Sequence, residues 1–174
     1  MQEAGEQEPG SMAAVLGLDE EKVREICEVT GVEIANINCP GQITLSGALK
    51  PLEQAIKLAE EKGARKVVPL QVSGAFHSRL MKPAADGLTQ VISKLTFRDP
   101  VVPIVANTTG KPITTAGEVK TELQNQLLNC VQWQRSIEYM VSDGVSSFIE
   151  IGPGQVLTGL IKRINKEVQT QNIG

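Results

Sequence analysis

A mixed α/β fold of the α+β kind is predicted by three features of the 174-residue sequence. Over residues 11–73, short apolar and amphipathic segments follow one another in the order β-α-β-β-α-β. Beyond residue 74 the pattern changes to amphipathic helices beside two short, continuously apolar strands. With 41% apolar and 21% charged residues, the chain is long enough to bury a sizeable core.

The polar run MQEAGEQEPG at 1–10 carries two glycines and a proline and reads as a lead-in with nothing to bury. From Ser11, SMAAVLGL predicts a strand. Asp19 then offers a side-chain acceptor to cap a helix whose Val23, Ile26, Cys27 and Thr30 share one face. VEIANIN and QITLSG are two β-rich stretches divided by Cys39-Pro40-Gly41, where proline fixes φ and glycine permits a tight turn, so they predict a hairpin. A second helix carries Leu52, Ala55, Ile56 and Ala59 on one side and is terminated by Gly63, and ARKVVPLQV predicts the last strand. This order defines a ferredoxin-like unit at 11–73, with two helices on one face of a four-stranded antiparallel sheet.

The second half, 74–174, predicts a helix at about 79–95, a strand in VVPIVAN, helices at about 117–129 and 132–143, a strand in SSFIEI at 146–151, and a helix in VLTGLIKRI. IVAN and FIEI have the composition of strands buried on both faces of a parallel sheet. Two strands are too few, since sheets usually have about four to six. More sheet is therefore expected from elsewhere in the chain or from another chain.

A net charge of −3 and the absence of a Lys/Arg cluster interleaved with aromatics argue against a nucleic-acid partner. No apolar run approaches the roughly 20 residues of a membrane span, and the acidic N-terminus is unlike a signal peptide, so no membrane association is expected. Three widely spaced cysteines, Cys27, Cys39 and Cys130, with one histidine fit neither a disulfide framework nor a metal site. A reducing compartment follows, the cytoplasm or a plastid stroma.

Few residues are candidates for chemistry. His77 lies in SGAFHS, just past a predicted strand end, where a rigid scaffold presents functional groups, and imidazole can exchange a proton near neutral pH. An ordinary surface histidine is the alternative. Asn36 and Asn38, at i and i+2 of a strand, face the same way and would line a polar cleft, or else serve the Pro-Gly turn. Cys39 with His77 would make a thiol nucleophile and its base, although Pro40-Gly41 reads as a turn. Gly152-Pro153-Gly154 before a helix would present amides to an anion, or form a plain strand-to-helix connection. The chain contains no G-x-S-x-G nucleophile elbow.

Six runs in order, MQEA at 1–4, SMAAVLGLD at 11–19, IANINCPGQITLSG at 34–47, GAFHSRLMKPAADGL at 74–88, QWQRSIEYM at 132–140 and IEIGPGQVLTGLIKRI at 149–164, resemble malonyl-CoA:acyl carrier protein transacylases. The resemblance covers nearly the whole chain. It implies that the ferredoxin-like small subdomain is inserted in a larger α/β-hydrolase-like subdomain, of which 74–174 would be the C-terminal part. It implies ping-pong transfer of malonyl from malonyl-CoA through a serine to the phosphopantetheine thiol of acyl carrier protein, in fatty acid biosynthesis. No metal or resident cofactor is implied, and a monomer is expected at full length.

By the same resemblance His77 matches the general base, Gln126 the glutamine that orients it, and Asn36 and Asn38 the asparagines near the cleft. Phe76 matches the bulky neighbour that favours malonyl over methylmalonyl. The family's serine and its malonyl-binding arginine have no counterpart here, which makes the chain an incomplete, inactive transacylase by expectation. The alternatives are a non-catalytic ferredoxin-like binding module and a cysteine hydrolase using Cys39.

Overall fold

The computed structural model describes residues 1–174, and the chain opens on a helix rather than a structureless lead-in. Helix α1 (Gln2–Gln7) leaves Ala4 only 3% exposed and rests on the turn and helix that follow His77. The polar sequence concealed this contact because small residues make it, not an apolar stripe. A Cβ added at Gly5 would stand 2.3 Å from the Ser73 carbonyl oxygen.

Strand β1 (Gly10–Leu16) leads into α2 (Glu20–Thr30), where the Asp19 carboxylate accepts from the Lys22 amide at 2.9 Å and caps the helix. The hairpin β2 (Glu33–Cys39) and β3 (Gln42–Ala48) turns at Pro40-Gly41, with Gly41 at φ +70°. Helix α3 (Leu49–Glu61) and β4 (Lys66–Pro69) follow. The strand order is β2-β3-β1-β4 and every neighbouring pair is antiparallel, the ferredoxin-like arrangement.

One face of this sheet holds the main core. Ala13, Val15, Ile43 and Leu45 meet Val23, Ile26, Leu52, Ala55 and Ala59, each at most 4% exposed. Cutting a side chain as enclosed as Ile26 back to Ala would cost about 3 kcal/mol.

Strand β2 lies at the sheet's edge, and the second half of the chain covers that edge. The Ile37 amide donates to the Val131 carbonyl at 2.9 Å, and the Val131 amide donates to the Ala35 carbonyl at 2.8 Å. The pairing satisfies groups that an open edge would leave exposed. It also ties the segment after Gln126 to the sheet.

Beyond β4, a 3₁₀ turn at Arg79–Met81 runs into α4 (Lys82–Ser93). Strands β5 (Ile104–Val105) and β6 (Pro112–Ile113) form a short antiparallel ladder. Then come α5 (Ala116–Asn125), α6 (Trp133–Ser142), β7 (Ser147–Ile151), α7 (Val156–Ile164) and β8 (Gln169–Ile173).

Three expectations for this half are corrected. VVPIVAN is a strand over two residues only, for Pro103 has no amide to donate, and Val101 and Val102 lie exposed. Strand β7 does pair in parallel, but with β8, whose polar QTQNI carried no strand signal; Ile149 and Ile151 of β7 are exposed rather than buried on both faces. Helix α5 stops at Asn125, short of the expected 129, which places Gln126 at its C-terminal cap.

Candidate active site

His77 stands on the loop between β4 and the 3₁₀ turn, and it is the chain's only non-glycine residue with positive φ, at +56°. Such a conformation costs a non-glycine residue about 1 kcal/mol or more, so the surrounding structure must hold it there. The holding contacts are specific. The Ser78 hydroxyl, wholly buried, donates to the Ala75 carbonyl at 2.6 Å and accepts from the Leu80 amide at 3.3 Å. The Arg79 amide donates to the Glu33 carboxylate at 3.2 Å, linking the loop to the start of β2. Gly10 passes so near the loop that an added Cβ would stand 2.7 Å from the Ala75 Cβ.

The ring itself is oriented from the other half of the chain. His77 Nδ1 donates to the main-chain carbonyl of Gln126 at 2.7 Å. A carbonyl can only accept, so the proton belongs on Nδ1 and the lone pair on Nε2. That carbonyl is available because Gln126 caps α5, beyond the last residue whose carbonyl an intrahelical amide would use. A helix running on to 129 would have engaged it.

His77 and Gln126 are therefore brought together, through the glutamine's main chain rather than its side chain. The Gln126 Oε1 instead accepts from Asn107 Nδ2 at 3.4 Å. Asn36 bridges Val131 along the β2 edge and so lies on the strand that anchors the 126–131 segment. The Asn38 side-chain Nδ2 donates to Thr44 Oγ1 at 3.2 Å across the hairpin. Phe76 is half-buried directly before His77.

Two alternatives for other residues lose support. Cys39 is 1% exposed and burial pushes its thiol pKa up, opposite to what an activated nucleophile needs. The amides at the start of α7, after Gly152-Pro153-Gly154, are taken by the chain's own anion: Glu150 accepts from Leu157 at 3.0 Å and Thr158 at 2.8 Å. Hydrogen bonding by the Thr158 side chain, and by the Thr158 and Leu157 amides, holds the Glu150 carboxyl below the usual range.

Sequence reasoning missed Asn107, Ser78 and Val131. The turn-forming run NTTG marks where Asn107 sits, and Ser78 just ahead of a helical pattern is a cap signal. Val131 carries no local signal, since its role is to pair with a strand far away in sequence.

Comparison with known proteins defines the class to which this geometry belongs. Residues 1–173 match the model of the acyl transferase domain, and the chain belongs to that family. It is 43% identical over 175 residues to the malonyl CoA-acyl carrier protein transacylase of Bacillus subtilis, covering 98% of this chain and 55% of that protein. The Staphylococcus aureus transacylase of the same name is 44% identical over 169 residues, again covering 55% of its length. The chain thus spans about half the length of these curated relatives.

Solved structures agree. The acyl-carrier-protein-S-malonyltransferase of Bartonella henselae superposes with a TM-score of 0.91 at 41% identity, covering 95% of this chain and 54% of that one. A malonyl-transacylase in complex with its type II PKS acyl-carrier protein gives 0.93 at 36% identity, with 98% and 57% covered. No helix of the chain is long and apolar enough to cross a membrane.

Proposed function

We propose that this chain carries the general-base half of a malonyl-CoA:acyl carrier protein S-malonyltransferase acting in fatty acid biosynthesis in the cytoplasm. The observation that carries the reading is the His77 Nδ1 to Gln126 carbonyl hydrogen bond, in a chain of the acyl transferase family. Residues 11–73 would form the small subdomain and 74–174 the C-terminal part of the large one. The exposed Ile149 and Ile151 of β7 support further sheet or chain covering that strand, since exposed apolar strand residues mark a surface that something else covers.

In this reading His77 Nε2 removes the proton of a serine hydroxyl as that oxygen attacks the malonyl thioester. The serine lies outside these 174 residues, which contain no G-x-S-x-G elbow. Nε2 then returns the proton to the departing coenzyme A sulfur. The same steps in reverse deliver malonyl to the phosphopantetheine thiol of acyl carrier protein. A thiol with an ordinary pKa near 8.5 is a good leaving group, so the base is needed chiefly at the hydroxyl. Keeping the proton on Nδ1 presents Nε2 as the acceptor in every turnover. Asn36, Asn38 and Phe76 would line the acyl site, with Phe76 crowding an α-methyl branch.

Labelled malonyl-CoA tests this. The chain alone is expected to form no acyl-enzyme; co-expressed with the serine-bearing half of the Bacillus subtilis relative, it should be labelled on serine, and His77→Ala should slow labelling roughly 10²–10⁴-fold. Label on the isolated chain, or an H77A variant that labels normally, would overturn the assignment. Phe76→Ser in the same assembly should relax malonyl preference over methylmalonyl by about 1–3 kcal/mol.

A further inference from the structure

We propose that Asn107 is a positioning residue for His77, acting through Gln126; the proposal rests on the reading of His77 as general base. Asn107 lies in the turn at 106–111 between β5 and β6, and that turn is anchored on every side. The Ala106 amide donates to the Lys111 carbonyl at 2.9 Å, and the Gly110 amide to the Ala106 carbonyl at 2.9 Å. Gly110, at φ +65°, lies against α6 so closely that a Cβ there would stand 3.0 Å from the Arg135 Cβ. The Thr108 amide and hydroxyl both donate to the Glu122 carboxylate, at 3.0 and 2.5 Å.

From this fixed turn Asn107 reaches both ends of the segment that carries the histidine's acceptor. Its Nδ2 donates to Gln126 Oε1 at 3.4 Å, and its carbonyl accepts from the Gln132 amide at 2.7 Å. Glu122 and Gln126 stand four residues apart, on one face of α5 and its cap, so Thr108 and Asn107 hold adjacent turns of the same face. The helical ladder closes with the Gln126 amide donating to the Glu122 carbonyl at 2.9 Å, and no helical amide takes the Gln126 carbonyl, so the ladder alone does not fix that carbonyl's direction. It depends on what holds residue 126, and the side-chain tether is Asn107. Releasing the tether lets the carbonyl drift, and the His77 ring loses its preference for carrying the proton on Nδ1.

The chain has one histidine, so an imidazole nitrogen NMR spectrum reads His77 without assignment. In the unmodified chain the neutral ring is expected with its proton on Nδ1. Asn107→Leu keeps the branched shape and the number of heavy atoms but removes the donor, and should raise the share of the Nε2-protonated form roughly fivefold, the weight of one ordinary hydrogen bond. Asn107→Asp should match the unmodified chain, since the Gln126 amide can turn its NH₂ toward the new carboxylate. An N107L spectrum equal to that of the unmodified chain would overturn the role of Asn107 and leave His77 untouched. Equal loss in N107L and N107D would mean collapse of the turn, which also overturns it. An unmodified chain already protonated on Nε2 would instead sink the reading of His77 itself.

Discussion

His77 Nδ1 and the Gln126 carbonyl oxygen, 49 residues apart in sequence, meet at 2.7 Å. The contact joins a loop following the ferredoxin-like sheet to the cap of a helix in the other half, so the ring's orientation depends on the packing of both. The backbone at His77 is part of that arrangement, being left-handed where a side chain is disfavoured.

Glycine adopts φ near +56° without the Cβ penalty of about 1–2 kcal/mol, against an entropy cost of about 0.5–1 kcal/mol in the unfolded chain. His77→Gly should therefore be more stable than His77→Ala by roughly 0.5–1 kcal/mol. Urea unfolding of the two variants decides it, and equal midpoints would mean that the loop relaxes.

Gly5 sets two effects against each other. In a free helix, Gly5→Ala would gain about 1 kcal/mol of helix propensity. Here the new Cβ would lie 2.3 Å from a main-chain oxygen at Ser73, which has no flexible end to swing away. Overpacking of about 1–3 kcal/mol should win, detaching α1. Faster amide exchange over residues 2–7 is the expected result; a stabilised variant would contradict the close approach.

Glu20 joins α2 to α6 by accepting from Arg24 at 3.1 Å and from Arg135 at 3.0 Å. Burial raises its pKa, but the hydrogen bonds from Arg24 and Arg135, with their charges, outweigh it and hold the carboxyl below its ordinary 4.5. A depressed folded-state pKa contributes stability above the unfolded value, lost as pH falls through the folded one. Unfolding free energy should thus drop on acidification below about pH 4.5. Glu20→Gln should be about 1 kcal/mol less stable at pH 7 and show a shallower acid slope. A slope unchanged in E20Q would assign the acid sensitivity elsewhere.

Burial pushes the Cys27 and Cys130 thiols from 9.0 up to about 11. The thiolate is the reactive form, so at neutral pH each should be alkylated roughly 100-fold more slowly in the folded chain than in urea. Mass spectrometry after iodoacetamide pulses measures this. Rapid native labelling would mean that the α2–β2 packing opens readily.

Where residues decide their own surroundings, the sequence was legible. Asp19 capped α2, Pro40-Gly41 turned the hairpin, and the apolar spacing of α2, α3 and α7 located those helices, because capping, turn geometry and periodicity act over a few residues. The six runs that resembled the transacylases were equally readable. Helix α1 and strand β8 were not: Gly5 packs by close approach, and QTQNI pairs only because β7 lies beside it.

The candidate site divides in the same way. That His77 stands after a strand, in a loop rich in small residues, follows from the sequence alone. The nitrogen that carries its proton follows only from the fold. It took the early end of α5 at Asn125, the pairing of Val131 with β2, and the Asn107 turn to bring the Gln126 carbonyl to the ring. Each is a contact between residues distant in the chain, and such contacts form because buried polar groups must find partners across packed surfaces, wherever the packing puts them.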